Sequence, residues 1–376
     1  DWSSDVCCCD LGLMTGFGVR PDGVVGYSLG ETGGLVSLGA WHERDEMLRR
    51  TMEGDLFVSA LTGECSAARR VWGLAEDADV KWLVGVVDRS ADRVRETLEG
   101  RQRVYLLIVN TPDECVIGGD AVAVEEAVEA LGAVFHELLG VPTVHCEVAR
   151  QVEDEYRELH LLDTRVPAGV RFSSGAWGAA YEVDREKAAD SLLAQAIHGV
   201  DFPKTVRQAY EDGVRIFLEM GPGASCTRMI QKILEGRTFR ACSISSPTQD
   251  EPSTVLRTLA MLIAERVPVD LGQLYPGMPA VEEASGPVIR VPIGREGFGS
   301  ISRLVSRRTP AEPRSDVPDV PDVPPALPDG TPDLGIGSLT GPLDLTGVPA
   351  ERAAALQAAE TTIQAHDAYL RAAQRT

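Results

Sequence analysis

The chain has 376 residues, 44% hydrophobic and 25% charged, the balance of a globular protein with room for one large domain or two. Its formal net charge of −21 argues against duplex nucleic acid as a partner, and no run of about 18 apolar residues exists to cross a membrane. The first residue is Asp1, no signal-peptide pattern follows, and the eight cysteines show no CxxC pairing; the expectation is a segment of a larger, cytoplasmic protein with reduced thiols and no metal site.

In chain order, Cys7-Cys8-Cys9 sits among apolar residues and reads as buried thiols in a helix. A short apolar run, Val24-Val25, then meets Gly26-Tyr27-Ser28-Leu29-Gly30, and a helix-like segment follows. Further on, the pattern predicts a strand over 82–87, a helix over 91–98, strands over 104–109 and 114–118, a helix over 121–131 and a strand near 133–136. That order, β-α-β-β-α-β, is the split-βαβ pattern. A short strand is expected over Val141–Val144, helices over 153–162 and 188–197, and a strand over 216–219. Gly221-Pro222-Gly223 reads as a tight turn, because it lacks the lysine and spacing of a phosphate loop. The alternation of short apolar runs with amphipathic stretches indicates an α/β fold.

Composition changes after residue 297. Residues 310–349 hold ten of the 23 prolines and three Asp-Val-Pro repeats, so this stretch cannot bury enough apolar surface to offset its ordering entropy and is expected to be an extended linker. From Pro349 a helix is expected, with Leu356, Ile363 and Leu370 as a narrow apolar stripe.

Strand, Gly-x-Ser-x-Gly, helix is the pattern of a nucleophile elbow: the glycines permit a sharp turn, the serine projects from the sheet, and the helix aims its first amides at a developing oxyanion. Ser28 would be the nucleophile and the Leu29 N–H an oxyanion donor. A serine nucleophile needs a base. Of the six histidines, His42 and His366 fall in exposed helical stretches, and His136 and His160 near helix ends that suggest the surface. Periodicity does not choose between His145 and His198.

Here the residues resemble a known family. Residues 18–31, GVRPDGVVGYSLGE, are similar to the serine elbow of malonyl-CoA:acyl carrier protein acyltransferases, including the acyltransferase domains of type I polyketide and polyunsaturated fatty acid synthases. Three further stretches agree in order: Asn110-Thr111-Pro112 through Val116-Ile117-Gly118-Gly119, Val144-His145 with the helix ending Glu155-Tyr156-Arg157, and Phe217-Leu218-Glu219-Met220-Gly221-Pro222-Gly223. The resemblance covers residues 1–296.

It implies an α/β-hydrolase-like core with a parallel sheet (1–80 and 143–275), a small ferredoxin-like inserted subdomain (81–142) and a post-domain segment (276–296), followed by the linker (297–348) and the helix (349–376). It implies His145 as the base, oriented by a backbone carbonyl that Asp201 would supply. An arginine after the elbow grips the malonyl carboxylate in the family, a role falling to Arg50 or Arg49. Tyr27 stands where most members have histidine, Val144 precedes the base where substrate selectivity varies, Leu29 leans towards malonyl, and Asn110 would line the cleft. Malonyl-CoA is the implied substrate, with no bound cofactor; the acceptor is the phosphopantetheine of an acyl carrier protein, and a ketosynthase is an implied neighbour. The family carries a longer segment before the serine, with a first strand and a glutamine loop that completes the oxyanion hole; only residues 1–27 precede Ser28 here, so a truncated front is expected.

Two other readings are compatible with the elbow. One is a GxSxG esterase or lipase, although these follow the order Ser, acid, His and often carry an HGGG-type loop, which this chain lacks. The other is a non-catalytic docking piece of a megasynthase, with Arg303, Arg307 and Arg308 as a basic patch.

Overall fold

The computed structural model describes residues 2–245 and 251–275, which belong to one compact unit. The expected segment 276–296, the linker, the final helix, His366 and the Arg303, Arg307 and Arg308 patch lie outside the described residues. The elements are, in order, α1 (Trp2–Gly16), β1 (Gly23–Val25), α2 (Leu29–Ser37), α3 (Arg44–Glu53), α4 (Ser66–Val71), β2 (Trp82–Val87), α5 (Ala91–Leu98), β3 (Val104–Thr111), β4 (Glu114–Asp120), α6 (Ala121–Leu131), β5 (Phe135–Glu137), α7 (Glu153–His160), β6 (Arg171–Ser174), β7 (Ala179–Tyr181), α8 (Arg185–His198), β8 (Val200–Asp201), α9 (Phe202–Glu211), β9 (Ile216–Glu219), α10 (Ser225–Ile233), β10 (Arg240–Ser243) and α11 (Glu251–Ala264). None of the described helices is long and apolar enough to cross a membrane.

The β-α-β-β-α-β stretch folds in the order its sequence predicts. Ser90 and Asp120 cap α5 and α6 by accepting the N–H groups of Arg93 and Ala123, and Gly132 ends α6 in the left-handed conformation. Strands β5-β2-β4-β3 pair antiparallel, and one face of that sheet buries Val87, Val109, Cys115 and Ile117 against Val94 of α5 and Val124 and Ala127 of α6. Strand β8 adds to the outer edge of β3 in parallel, pairing Ile108 with Val200 and Val109 with Asp201. This short ladder brings the end of α8 beside the inserted sheet.

The expected parallel core sheet is present in two pieces. Strand β1 pairs in parallel with β6, to which β7 adds antiparallel, while β9 and β10 form a separate parallel pair. Residues of β1 and of β9 line the same cavity, and no described strand bridges them. The strand expected over Val141–Val144 does not form. Thr143 donates its N–H to Leu61 O, far away in sequence, and Val144 to Pro142 O in a tight turn, so this segment is held by single bonds and not by a ladder. The three adjacent cysteines do lie on a helix, α1, but Cys9 is exposed and Cys7 and Cys8 are half-buried.

Candidate active site

Strand β1 ends at Val25, and the chain must reverse within three residues to enter α2. Gly26 makes this possible, because a Cβ there would lie 2.2 Å from Glu31 N and 2.3 Å from its Cα, both in the first turn of the helix. The turn forces Ser28 to φ 51°, ψ −116°, a backbone strain that non-glycine residues rarely carry and that clusters at functional positions. His145 also sits at positive φ, 68°. The two strained residues meet: Ser28 Oγ lies 2.8 Å from His145 Nε2.

The protonation of the pair follows from its other partner. His145 Nδ1 lies 2.9 Å from the carbonyl oxygen of Gln195. A carbonyl can only accept, so Nδ1 carries the proton and Nε2 is left to accept from the Ser28 hydroxyl. Burial of the ring pushes its pKa below the ordinary histidine value, with the Gln195 carbonyl opposing in part. The imidazole is therefore neutral at neutral pH, the form whose Nε2 can accept a proton.

The orienting carbonyl is thus Gln195 and not Asp201. Gln195 is in the last turn of α8, and its oxygen accepts both the Gly199 N–H that closes the helix and the imidazole Nδ1–H, one on each lone pair. Asp201 is occupied otherwise. Its carboxylate caps α9 by accepting from Lys204 N at 2.9 Å, and its carbonyl accepts from Thr205 Oγ1 at 3.1 Å. Gln195 contributes a second contact, Nε2 donating to Ser28 O at 3.4 Å.

The dyad opens into a cavity of about 1600 Å³ that Tyr27, Ser28, Leu29, Asn110 and His145 help to line. Leu29 is 51% exposed, and its N–H stands at the start of α2, next to Ser28. Tyr27 donates its hydroxyl to Asn110 Oδ1 at 2.7 Å and packs edge-on against Phe202. Asn110 in turn donates to Glu114, which pairs with Arg228 on α10. This chain of polar contacts ties the elbow to the inserted sheet and to the helix after the Gly221–Gly223 turn.

Three expected substrate contacts fall elsewhere. Arg49 is held on the surface by Glu46 and Glu53. Arg50 pairs with the same Glu46 and donates to the carbonyls of Glu158 and Leu161 at the end of α7. Neither guanidinium lines the cavity, because acids one helical turn away hold both; the arginines of the cavity wall are Arg20, Arg171, Arg215 and Arg228. Val144 is buried in the main apolar cluster and not on the cavity wall. His198, His42 and His136 are exposed, whereas His160 is buried between Trp41 and Tyr156, contrary to the surface position its sequence suggests.

Two carboxylates, Glu219 half-buried and Glu31 buried, escape the sequence reading as site groups. Glu219, at the end of β9, accepts the N–H groups of Cys226 and Thr227 and so caps α10. Glu31, in the first turn of α2, is 4% exposed and accepts from Gly175 N and Ser191 Oγ. A glutamate three residues past a serine elbow, in a helix otherwise rich in glycine, is the pattern that could single it out.

No protein-family model matches the chain. The malonyl CoA-acyl carrier protein transacylase of Bacillus subtilis is 27% identical over 242 residues, 61% of this chain and 69% of the transacylase. A polyunsaturated fatty acid synthase polypeptide of Thraustochytrium is 24% identical over 271 residues, 66% of this chain but 13% of that polypeptide. Among solved structures, the acyltransferase domain from the second module of the salinomycin polyketide synthase shares the fold with a TM-score of 0.60 at 23% identity, covering 73% of this chain and 61% of that one. The chain thus spans about three-fifths of that solved chain and a small part of the fatty acid synthase polypeptide.

Proposed function

We propose that this chain, related in sequence to malonyl-CoA:acyl carrier protein transacylases and in fold to acyltransferase domains, moves a malonyl group from coenzyme A to the phosphopantetheine thiol of an acyl carrier protein, as one domain of a fatty acid or polyketide synthase. The observation that carries the reading is the Ser28–His145 contact at 2.8 Å, set in a strained elbow with Nδ1 on a carbonyl.

His145 Nε2 takes the proton as Ser28 Oγ attacks the thioester carbonyl. The Leu29 N–H, at the positive end of α2, donates to the oxygen that becomes negative. Collapse breaks the carbon–sulfur bond, and the imidazolium returns its proton to the departing coenzyme A thiolate. The malonyl-Ser28 ester remains. In the second half, the carrier thiol gives its proton to His145 and attacks the ester; the tetrahedral centre collapses, Ser28 Oγ leaves and is reprotonated, and the acyl group is now on the carrier. Splitting one transfer between two large thioester partners into two steps lets each dock in turn.

A carbonyl in place of a carboxylate behind the histidine separates this dyad from the Ser-acid-His order of GxSxG esterases. Transfer of malonyl from malonyl-CoA to a holo-acyl carrier protein, set beside hydrolysis of a short p-nitrophenyl ester, tests the assignment. The proposal expects transfer to dominate and to vanish in Ser28→Ala. Ester hydrolysis without transfer would overturn it.

A further inference from the structure

Glu31 is a buried carboxylate for which acyl transfer itself has no use, and its contacts close a ring around the dyad. Its N–H donates to Ser28 O at 3.1 Å, at the start of α2. Its side chain reaches across to α8, where Ser191 Oγ donates to Oε1, while Gly175 N donates to Oε2 at 3.0 Å. Ser191 lies one turn before Gln195 on α8. Gln195 holds His145 through its carbonyl and Ser28 O through its amide. The circuit therefore runs from Ser28 to Glu31, Ser191, Gln195, His145 and back to Ser28.

We infer that Glu31 is a positioning residue for the dyad: by fastening α2 to α8 through Ser191, it fixes the separation between the serine at the start of one helix and the imidazole held by the other. The inference rests on reading Ser28 and His145 as the acyl-transfer dyad. The surroundings suit such a brace. Ser191 is fully buried, and its hydroxyl stands 2.7 Å from that of Ser174, which in turn accepts from Trp177 N at the end of β6. Strand β6 is the partner of β1, the strand that delivers the elbow. The carboxylate thus anchors the three elements that meet behind the nucleophile.

The hydroxyl pair also makes the brace independent of the proton on Glu31. With the carboxylate ionised, Ser191 donates to it and accepts from Ser174. With it protonated, the carboxyl donates to Ser191, which donates to Ser174. Each heavy-atom contact persists with the direction of donation reversed. Glutamine copies the second state: its carbonyl accepts from Gly175 N and its amide donates to Ser191.

The test compares Ser191→Ala, Glu31→Ala and Glu31→Gln with the wild-type chain in two measurements. The first is the rate of acylation by malonyl-CoA and its KM. The second is the proton resonance of the His145 Nδ1–H in histidine-labelled protein, with the His160 Nδ1–H, bonded to Tyr156 O, as internal reference. Ser191→Ala and Glu31→Ala are expected to slow acylation about 10- to 100-fold, the order lost when reacting groups drift by up to an ångström, with KM changed less than about twofold. Their His145 resonance should broaden or shift upfield while that of His160 stays. Glu31→Gln should restore both to near wild-type. An unchanged His145 resonance and an unchanged rate in Ser191→Ala would overturn the inference, and that variant decides alone if Glu31→Ala does not fold. Absence of any acylation in wild type would refute the acyl-transfer reading, and the resonance would still report whether Glu31 holds the imidazole.

Discussion

The two glycines of the elbow motif have unequal jobs, and substitution separates them. A Cβ on Gly26 would stand 2.2 and 2.3 Å from the N and Cα of Glu31 and 2.5 Å from the carbonyl carbon of Gly30. All three are backbone atoms of the first turn of α2, so no side chain can swing aside, and a carbon needs more than an ångström of additional clearance. Overpacking costs about 1–3 kcal/mol where neighbours can yield. Gly26→Ala belongs at or above the top of that range, because relief requires moving the helix that follows Ser28. A Cβ on Gly30 would meet nothing within 4 Å. Gly30 lies inside α2, where alanine is favoured over glycine by about 0.5–1 kcal/mol. The two variants should therefore differ by at least about 3 kcal/mol, with Gly30→Ala the more stable. Urea unfolding reads this as a gap of about 1 M or more between midpoints at a shared slope. Equal midpoints, or a lower one for Gly30→Ala, would refute the account of how the elbow is built.

Other predictions concern charge. Acylation should rise with pH through an inflection below the ordinary histidine value of 6.5, because burial depresses the His145 pKa and only the neutral ring can accept the Ser28 proton; an inflection above 6.5 in the pH–rate profile would contradict the burial. His145→Ala should lower the rate about 10²–10⁴-fold, the usual span for a lost general base. His160, lowered to about 4 by burial, binds a proton more readily unfolded than folded, so stability should fall as pH drops from 6.5 towards 4, by about 3 kcal/mol, and His160→Gln should remove that loss in urea titrations across pH. Glu31, raised to about 7 by burial, has the opposite sign: stability should decline as pH rises from 4.5 to 7, and Glu31→Gln should flatten that limb. Arg49→Ala and Arg50→Ala should leave the ratio of malonyl to acetyl loading unchanged, since both guanidiniums are bound to acids of their own helix.

What is legible in the sequence follows from where the information lies. The stretch from Trp82 to Glu137 matches its reading almost residue by residue, because Ser90, Asp120 and Gly132 mark helix ends locally and the strands between are short apolar runs. The elbow is equally plain, being contiguous. The orienting carbonyl is not: a backbone oxygen has no residue type to give it away. Only Gly199, as the stop of α8, marks the last helical turn, whose carbonyls can take partners from outside the helix. Arg50 is ambiguous because Glu46 stands one turn away, and the helical pair takes it. His160 misleads because Trp41, which covers it, lies far away in sequence. The split of the parallel sheet depends on pairings between β1, β6, β9 and β10, which no local pattern encodes.

The central claim is that Ser28 carries the acyl group, and the intact mass of the chain after mixing with malonyl-CoA tests it most directly. The account predicts a malonyl-sized gain that maps to the peptide holding Ser28, is absent in Ser28→Ala, and is discharged by a holo-acyl carrier protein. An adduct on another residue, or one that persists in Ser28→Ala, would contradict it.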